Sequence, residues 1–131
     1  MTRIRKIEKD KYKIYLSKAE EFYKIMKYAQ VQELWIGSAF NGIHCAISIC
    51  DALTTFYLGE RSSSPKHEDV VLLLRKIKIK NIESKIKQIL SILSVKNHVE
   101  YEAREFRKSD ALRIMTQVER LYTWANEFLP K

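Results

Sequence analysis

Two side chains that can act on a phosphate lie close together in one polar stretch. Arg61 and His67 are separated by five residues in the segment ERSSSPKH (60–67). A guanidinium can hold a phosphate through two donors at once, and an imidazole can move a proton near neutral pH. The pair could cleave RNA without a metal, with His67 transferring the proton and Arg61 stabilising charge on the phosphate. The alternative is a surface arginine and a histidine that caps a helix.

The helical pattern before this segment carries a line of small and polar residues. Steps of four, three, four, three and four separate its members, which therefore lie along one side of a helix over about five turns. The members are Gly37, Asn41, His44, Ser48, Asp51 and Thr55. Because none of them is Lys or Glu, the line either packs closely against another helix or lines a polar cleft.

A carboxylate on this line needs a partner if it is buried, because an isolated charge is costly to desolvate. The nearest candidates to Asp51 in the sequence are Arg61 and His67. We therefore predict a site in which Arg61 and His67 are catalytic and are supported by the polar members of the line, Asn41, His44, Ser48 and Asp51. The alternative is that His44 and Asp51 are core polar residues satisfied by local hydrogen bonds.

The composition indicates one globular domain over residues 1–131 and excludes several classes of protein. A hydrophobic fraction of 46% is too high for a disordered chain. Cys45 and Cys50 lie five apart on one apolar helical pattern, so we expect free thiols in a reducing, cytoplasmic compartment. No metal-ligand spacing is present, and we expect no metal and no cofactor. The uncharged run 34–50 is short and contains polar residues, so we expect a buried helix and no membrane contact.

The formal charge of +8 is unevenly distributed. Residues 1–30 and 61–90 each carry a net charge of +5, whereas residues 31–60 contain no Lys or Arg and carry −3. Two basic regions that flank a neutral helix are compatible with binding a polyanion such as RNA. A lysine-rich solvated surface is the alternative, and the excess of Lys over Arg favours it.

Helical periodicity predicts an all-α antiparallel bundle of about five helices. Gly59 is expected to end the second helix, and Ser64, Asn81 and either Ser109 or Asp110 are expected to cap later ones. The predicted helices run from about 9 to 29, from about 33 to 58, from near Pro65, over about 82–93 and from about 110 to 129. Residues 60–66 are expected to form a polar loop. The stretch KIKIK (76–80) is interpreted as a helix end and connection, and the segment 96–106 is left open.

Several of these stretches together resemble the HEPN family of helical proteins. They are SAFNGIHCAISICDAL, the GERSSSPKH segment, VVLLL, and VEYEAREFRKSDALRIMTQVERLYTWANEFL near the end of the chain. The resemblance implies an all-α bundle that is often dimeric, so we expect a homodimer. Many members are metal-independent ribonucleases, frequently toxins of toxin–antitoxin pairs, and others are inactive partners of small nucleotidyltransferases.

The ribonuclease members carry Arg, four to six residues and then His, and Arg61 and His67 fit that spacing. In many of them the motif lies late in the chain, at the entry to a C-terminal helix, which favours a non-catalytic function here. Two hypotheses follow from the resemblance. The favoured one is a nucleotide- or RNA-associated module that binds a partner, such as a second copy or a small nucleotidyltransferase. The alternative is a metal-independent endoribonuclease.

Overall fold

The chain forms an all-α helical bundle, as the helical periodicity predicts, and the described residues also form one very small sheet. The structure, a computed structural model, describes residues 4–63, 67–100, 103 and 105–131, and the fold is 76% helical. The helices are α1 (Tyr12–Val31), α2 (Trp35–Leu58), α3 (His67–Leu74), α4 (Ile82–Ser94), α5 (Lys96–Glu100) and α6 (Lys108–Phe128). The strands are β1 (Ile4–Lys6) and β2 (Glu60–Ser62), and a 3₁₀ turn over Lys9–Lys11 precedes α1.

The long helix α2 lies at the centre of the bundle, between α1 and α6. It is apolar on most faces, and its buried small residues allow neighbouring helices to approach closely. At Gly42 an added Cβ would lie 3.0 Å from the sulfur of Met26 on α1 and 3.4 Å from Val118 on α6. The absence of a side chain at Gly42 therefore lets three helices meet at one level of the core.

Backbone conformation accounts for the differences between predicted and observed ends of the first two helices. The predicted start of the second helix at Glu33 is wrong by two residues, because Glu33 has a left-handed conformation with φ 59°. Gly59 ends this helix as predicted: it has φ 64°, and its N–H donates to the carbonyl oxygen of Thr55. The first helix continues to Val31, two residues beyond the predicted end.

Two later helices begin by means other than those predicted. Asn81 precedes α4, but it has a left-handed φ of 69° and its side chain makes no capping hydrogen bond. The last helix begins at Lys108, before the predicted caps Ser109 and Asp110. The Asp110 carboxylate accepts the N–H of Arg107 at 2.9 Å, so it acts from inside the first turn.

The remaining predictions for the middle of the chain have mixed outcomes. The predicted helix start near Pro65 and its cap Ser64 lie outside the described residues. Residues 76–80 form no strand and connect α3 to α4, as predicted. The short helix α5 occupies the start of the segment left open.

The pairing of β1 with β2 was not predicted from the sequence. The strands are antiparallel, with Arg5 directly opposite Arg61, and Ile7 N–H donates to the carbonyl oxygen of Gly59 at 2.9 Å. The expectation that residues 60–66 form a polar loop is therefore wrong for residues 60–62. Arg61 lies on a hydrogen-bonded strand, which fixes the direction of its side chain.

The apolar composition of α2 fits its place in the core. It is long and apolar enough to cross a membrane by length and composition alone. However, 61% of its most apolar window is buried inside the bundle. Packing against α1 and α6 is sufficient to explain why this helix lacks charged residues from its start to Asp51.

Candidate functional site

An ion pair between Asp51 and Arg61 connects the end of α2 to strand β2. Arg61 Nε lies 3.5 Å from Asp51 Oδ1, and the two side chains are 35% and 17% exposed. This contact is an ion pair rather than a good hydrogen bond, because Nε has no hydrogen-bond partner within the described part of the chain. The left-handed Gly59 turns the chain sharply between the two residues and brings them together.

An aromatic ring from α1 holds the same guanidinium from another side. The guanidinium carbon of Arg61 lies 5.0 Å from the centre of the Tyr15 ring, within the range of a cation–π interaction. Arg61 is thus placed by a carboxylate on α2, a ring on α1 and the backbone pairing of β2. The guanidinium has five N–H donors, and the contact through Nε leaves its terminal nitrogens for other partners.

A cavity of about 320 Å³ opens beside this ion pair. Its volume is near the lower end of the range for small-molecule pockets. Helices α2, α3 and α4 supply an apolar part of the wall through Ile47, Val70 and Leu93. The polar part of the wall consists of His44, Asp51, Arg61, Ser62, Ser63 and Lys96. The cavity therefore combines a nonpolar floor with two cationic groups and one carboxyl group.

The imidazole of His44 is positioned at this cavity by aromatic contacts. Its ring centre lies 5.5 Å from that of Phe22 on α1 and 4.5 Å from that of Phe40, one turn earlier on α2. Contacts on two sides restrict the rotation of a half-buried ring. His44 and Asp51 thus reach the same cavity from positions two turns apart on α2.

The carboxyl group of Asp51 titrates much closer to neutral pH than an exposed aspartate does. Burial raises the pKa of Asp51 from 3.8 to about 6, and the attraction of Arg61 and then Lys18 opposes this rise without cancelling it. Desolvation therefore outweighs the ion pair. A charged Asp51 destabilises the folded state, although its partner lies nearby.

The structure does not bring every predicted site residue to the cavity. Asn41 donates from Nδ2 to the carbonyl oxygen of Gly37 at 2.7 Å, one turn back on its own helix, and it is not part of the cavity wall. Ser48 is buried and also lies away from the wall. His67 is the first residue of α3, but its side chain lies outside the described residues. The structure thus groups His44, Asp51 and Arg61.

Two residues of this site were not found by sequence reasoning. Tyr15 lies at helical spacing among apolar residues, and a cation–π contact with a residue 46 positions away has no local signal. Lys96 lies at the start of the segment that was left open. Within the described ranges, no group of three His, Cys, Asp or Glu residues could hold a metal ion.

No family model, curated protein or solved structure matches the chain. The resemblance to the HEPN family therefore stays a prediction. Function has to be inferred from the geometry of the cavity and from the distribution of charge.

The raised pKa of Asp51 predicts how folding stability changes with pH. Because the folded protein binds this proton more tightly than the unfolded chain, stability from this group is present at about pH 4 and is lost as the pH rises to about 6. Asp51→Asn should raise the free energy of unfolding by about 1–3 kcal/mol at about pH 7.5 and change it little at about pH 4. Urea unfolding at both pH values measures this.

The exposed residue Asp10 provides a matched control for that experiment. Asp10→Asn removes the same charge and should leave the difference in stability between the two pH values as it is in the wild type. A loss of stability in Asp51→Asn at the higher pH would show that the ion pair outweighs the cost of burial.

Proposed function

We propose that the protein is a HEPN-like module that binds a nucleotide or RNA phosphate in the Arg61 cavity and acts with a partner rather than as an enzyme. The observation that supports this is the presence of Arg61 and Lys96 in the wall of one cavity of about 320 Å³. Guanidinium and ammonium groups are the side chains that most often bind phosphate. The cavity volume suits a single nucleotide unit rather than a larger ligand.

The contact of Arg61 with Asp51 favours binding over turnover. A catalytic guanidinium stabilises the charge that develops in the transition state, and a carboxylate 3.5 Å away partly neutralises it. A bound phosphate would also be repelled by ionised Asp51. Protonation of this carboxyl, with its pKa of about 6, would remove the repulsion, so affinity should increase as the pH falls.

The phosphate site is tested by binding of a short, unstructured, fluorescently labelled RNA. Arg61→Gln should weaken binding about tenfold, whereas Arg75→Gln, which removes an exposed charge at the end of α3, should weaken it far less. Asp51→Asn should bind more tightly than wild type above pH 6 and show less pH dependence. Fluorescence anisotropy measures all three, and equal effects of the two arginine variants would contradict the proposed site.

A second feature that supports a partner-binding function is an exposed apolar surface at the α1–α2 turn. This apolar face consists of Tyr28, Val31, Leu34, Ile36 and Phe40. We propose that a second copy of the chain covers it. The five members of the face are uncharged, although the chain as a whole carries +8, and the charged residue in the turn beside them is the exposed Glu33. Two copies can therefore meet here without bringing the excess positive charge of the chain into contact. A two-fold dimer needs a self-compatible surface of this kind.

Two members of the apolar face are neighbours on one helix rather than scattered surface residues. Ile36 and Phe40 are 58% and 39% exposed, and they lie one turn apart on α2. His44, one further turn along, contacts Phe40 and lines the cavity. A small nucleotidyltransferase, the partner that the family resemblance implies, would compete with the second copy for this face.

Dimer formation is tested by placing a charge on the apolar face. Phe40→Glu should convert a dimer to a monomer in sedimentation velocity, because it would bury an unpaired carboxylate at the interface. Leu72→Glu is the matched control, since Leu72 is a comparably exposed apolar residue on α3, 48% against 39% for Phe40. A wild-type protein that sediments as a monomer at all concentrations would refute the proposal of a second copy.

Endoribonuclease activity is the second candidate, and one specific observation favours it. An imidazole from His44, a carboxyl with a pKa of about 6 from Asp51 and the Arg61 guanidinium share one cavity. An imidazole and a carboxyl with a raised pKa, beside a phosphate-binding cation, suit attack of a ribose 2′-hydroxyl on the adjacent phosphorus. In that reaction the 5′-oxygen leaves with a proton, and a cyclic phosphate remains.

Labelled RNA incubated with the protein in EDTA distinguishes the two functions. A binding module should leave the RNA intact after long incubation. Cleavage to cyclic-phosphate ends that is lost in both Arg61→Ala and His67→Ala would establish the ribonuclease instead. Cleavage that survives both changes would reject the predicted catalytic pair of Arg61 and His67.

A further inference from the structure

We propose that the phosphate site extends beyond the cavity onto the N-terminal strand, where Arg5 and Lys18 join Arg61 to hold a second phosphate of one RNA strand. This inference rests on the proposed function and specifies its ligand as a chain with consecutive phosphates. The three residues come from β1, α1 and β2. The basic region 1–30 contains Arg5 and Lys18, but no sequence pattern placed either of them beside Arg61.

The register of the small sheet places Arg5 beside Arg61. The two residues are directly opposite each other in the antiparallel pair. Side chains of such a pair lie on the same face of the ribbon, with Cβ atoms about 5 Å apart. Because the Arg61 side chain points toward Asp51 and Tyr15, the Arg5 side chain starts on that same face. Arg5 is also exposed, so it can reach a ligand in solvent.

Lys18 approaches the same place from α1. Its ammonium nitrogen lies 5.5 Å from the centre of the Tyr15 ring, and the Arg61 guanidinium lies 5.0 Å from that ring. One aromatic side chain thus interacts with two cations. Lys18 is also near enough to Asp51 to lower the pKa of its carboxyl. The positive charges of Lys18 and Arg61 therefore act on one common region.

The charges of this group do not balance within the protein. Arg5, Lys18 and Arg61 bring three positive charges, and Asp51 brings one negative charge. Glu60, the neighbouring acidic residue on β2, contacts Lys76 at 3.5 Å instead. Like charges directly opposite each other on a sheet are destabilising. Lys96 in the cavity wall adds a further positive charge. The resulting excess of three positive charges is enough to neutralise two phosphodiester groups, each of which carries one negative charge.

The location of the second subsite favours a strand over a free nucleotide. The cavity accepts one unit, whereas Arg5 and Lys18 are both exposed and neither belongs to its wall. A chain that continues out of the cavity would carry its next phosphate past exposed cations. A mononucleotide bound in the cavity has no phosphate to place there.

The salt dependence of binding counts the phosphate contacts directly. For single-stranded RNA, each neutralised phosphate contributes about 0.7 to the slope of log K against log salt concentration. Arg5→Gln should lower this slope for a short oligouridylate by about 0.7 and weaken binding about threefold to tenfold at low salt. Arg5→Lys keeps the charge and should keep the slope.

Lys6 provides the matched control, because it is the next residue on β1 and points to the opposite face of the ribbon. Lys6→Gln should leave the slope unchanged. In the same way, Lys18→Gln should lower the slope, and Lys13→Gln, on another side of α1, should not. Circular dichroism of each variant checks that the helices are retained.

Binding of a mononucleotide distinguishes the cavity from the second subsite, because a mononucleotide can occupy only the cavity. Uridine monophosphate should bind equally to the wild type and to Arg5→Gln, and should lose affinity in Arg61→Gln. If Arg61→Gln weakens RNA binding but Arg5→Gln and Lys6→Gln behave alike, the second subsite is refuted and the cavity site stands. If Arg61→Gln has no effect on either ligand, the proposed function itself fails.

Discussion

Burial of one carboxyl group at the edge of the core determines how the site is built. Asp51 lies on the central helix, and its desolvation is only partly offset by the Arg61 guanidinium, so its pKa remains raised to about 6. The position of Arg61 in turn depends on three constraints: the left-handed turn at Gly59, the pairing with β1 and the ring of Tyr15. The cost of desolvating the Asp51 carboxylate is thus linked to a well-defined position for the Arg61 guanidinium.

The helices could be predicted from the sequence because their apolar periodicity is local, and Arg61 could be named as a partner of Asp51 because the two are only ten positions apart. The β1–β2 pairing could not, since Arg5 and Arg61 are 56 positions apart and three-residue strands carry no alternating pattern. The residues of the polar line lie along one side of α2, as predicted, but they do not all have the same surroundings. Ser48 is covered by packing, whereas His44 and Asp51 reach the cavity.

The two ends of the α1–α2 hairpin have different surfaces, one apolar and one cationic. At the turn between the helices, the apolar face exposes Leu34, Ile36 and Phe40 without any charge among them. At the opposite end, Arg61 and Lys18 gather around Tyr15. His44 lies between these regions and touches both through Phe40 and the cavity. An occupant of the apolar face would therefore lie within reach of the His44 ring, which borders the proposed phosphate site.

The short sheet also affects the order in which the molecule can assemble. Its two strands are distant in sequence, but α1 and α2 fold back on each other between them, so a local hairpin brings the strand ends together and reduces the entropy lost on closure. Arg5, Lys18 and Arg61 therefore all lie within the first 62 residues, which form the two strands and the hairpin, whereas Lys96 is synthesised later. The growing chain therefore contains both strands and the helical hairpin between them before the last part of the cavity wall has been synthesised.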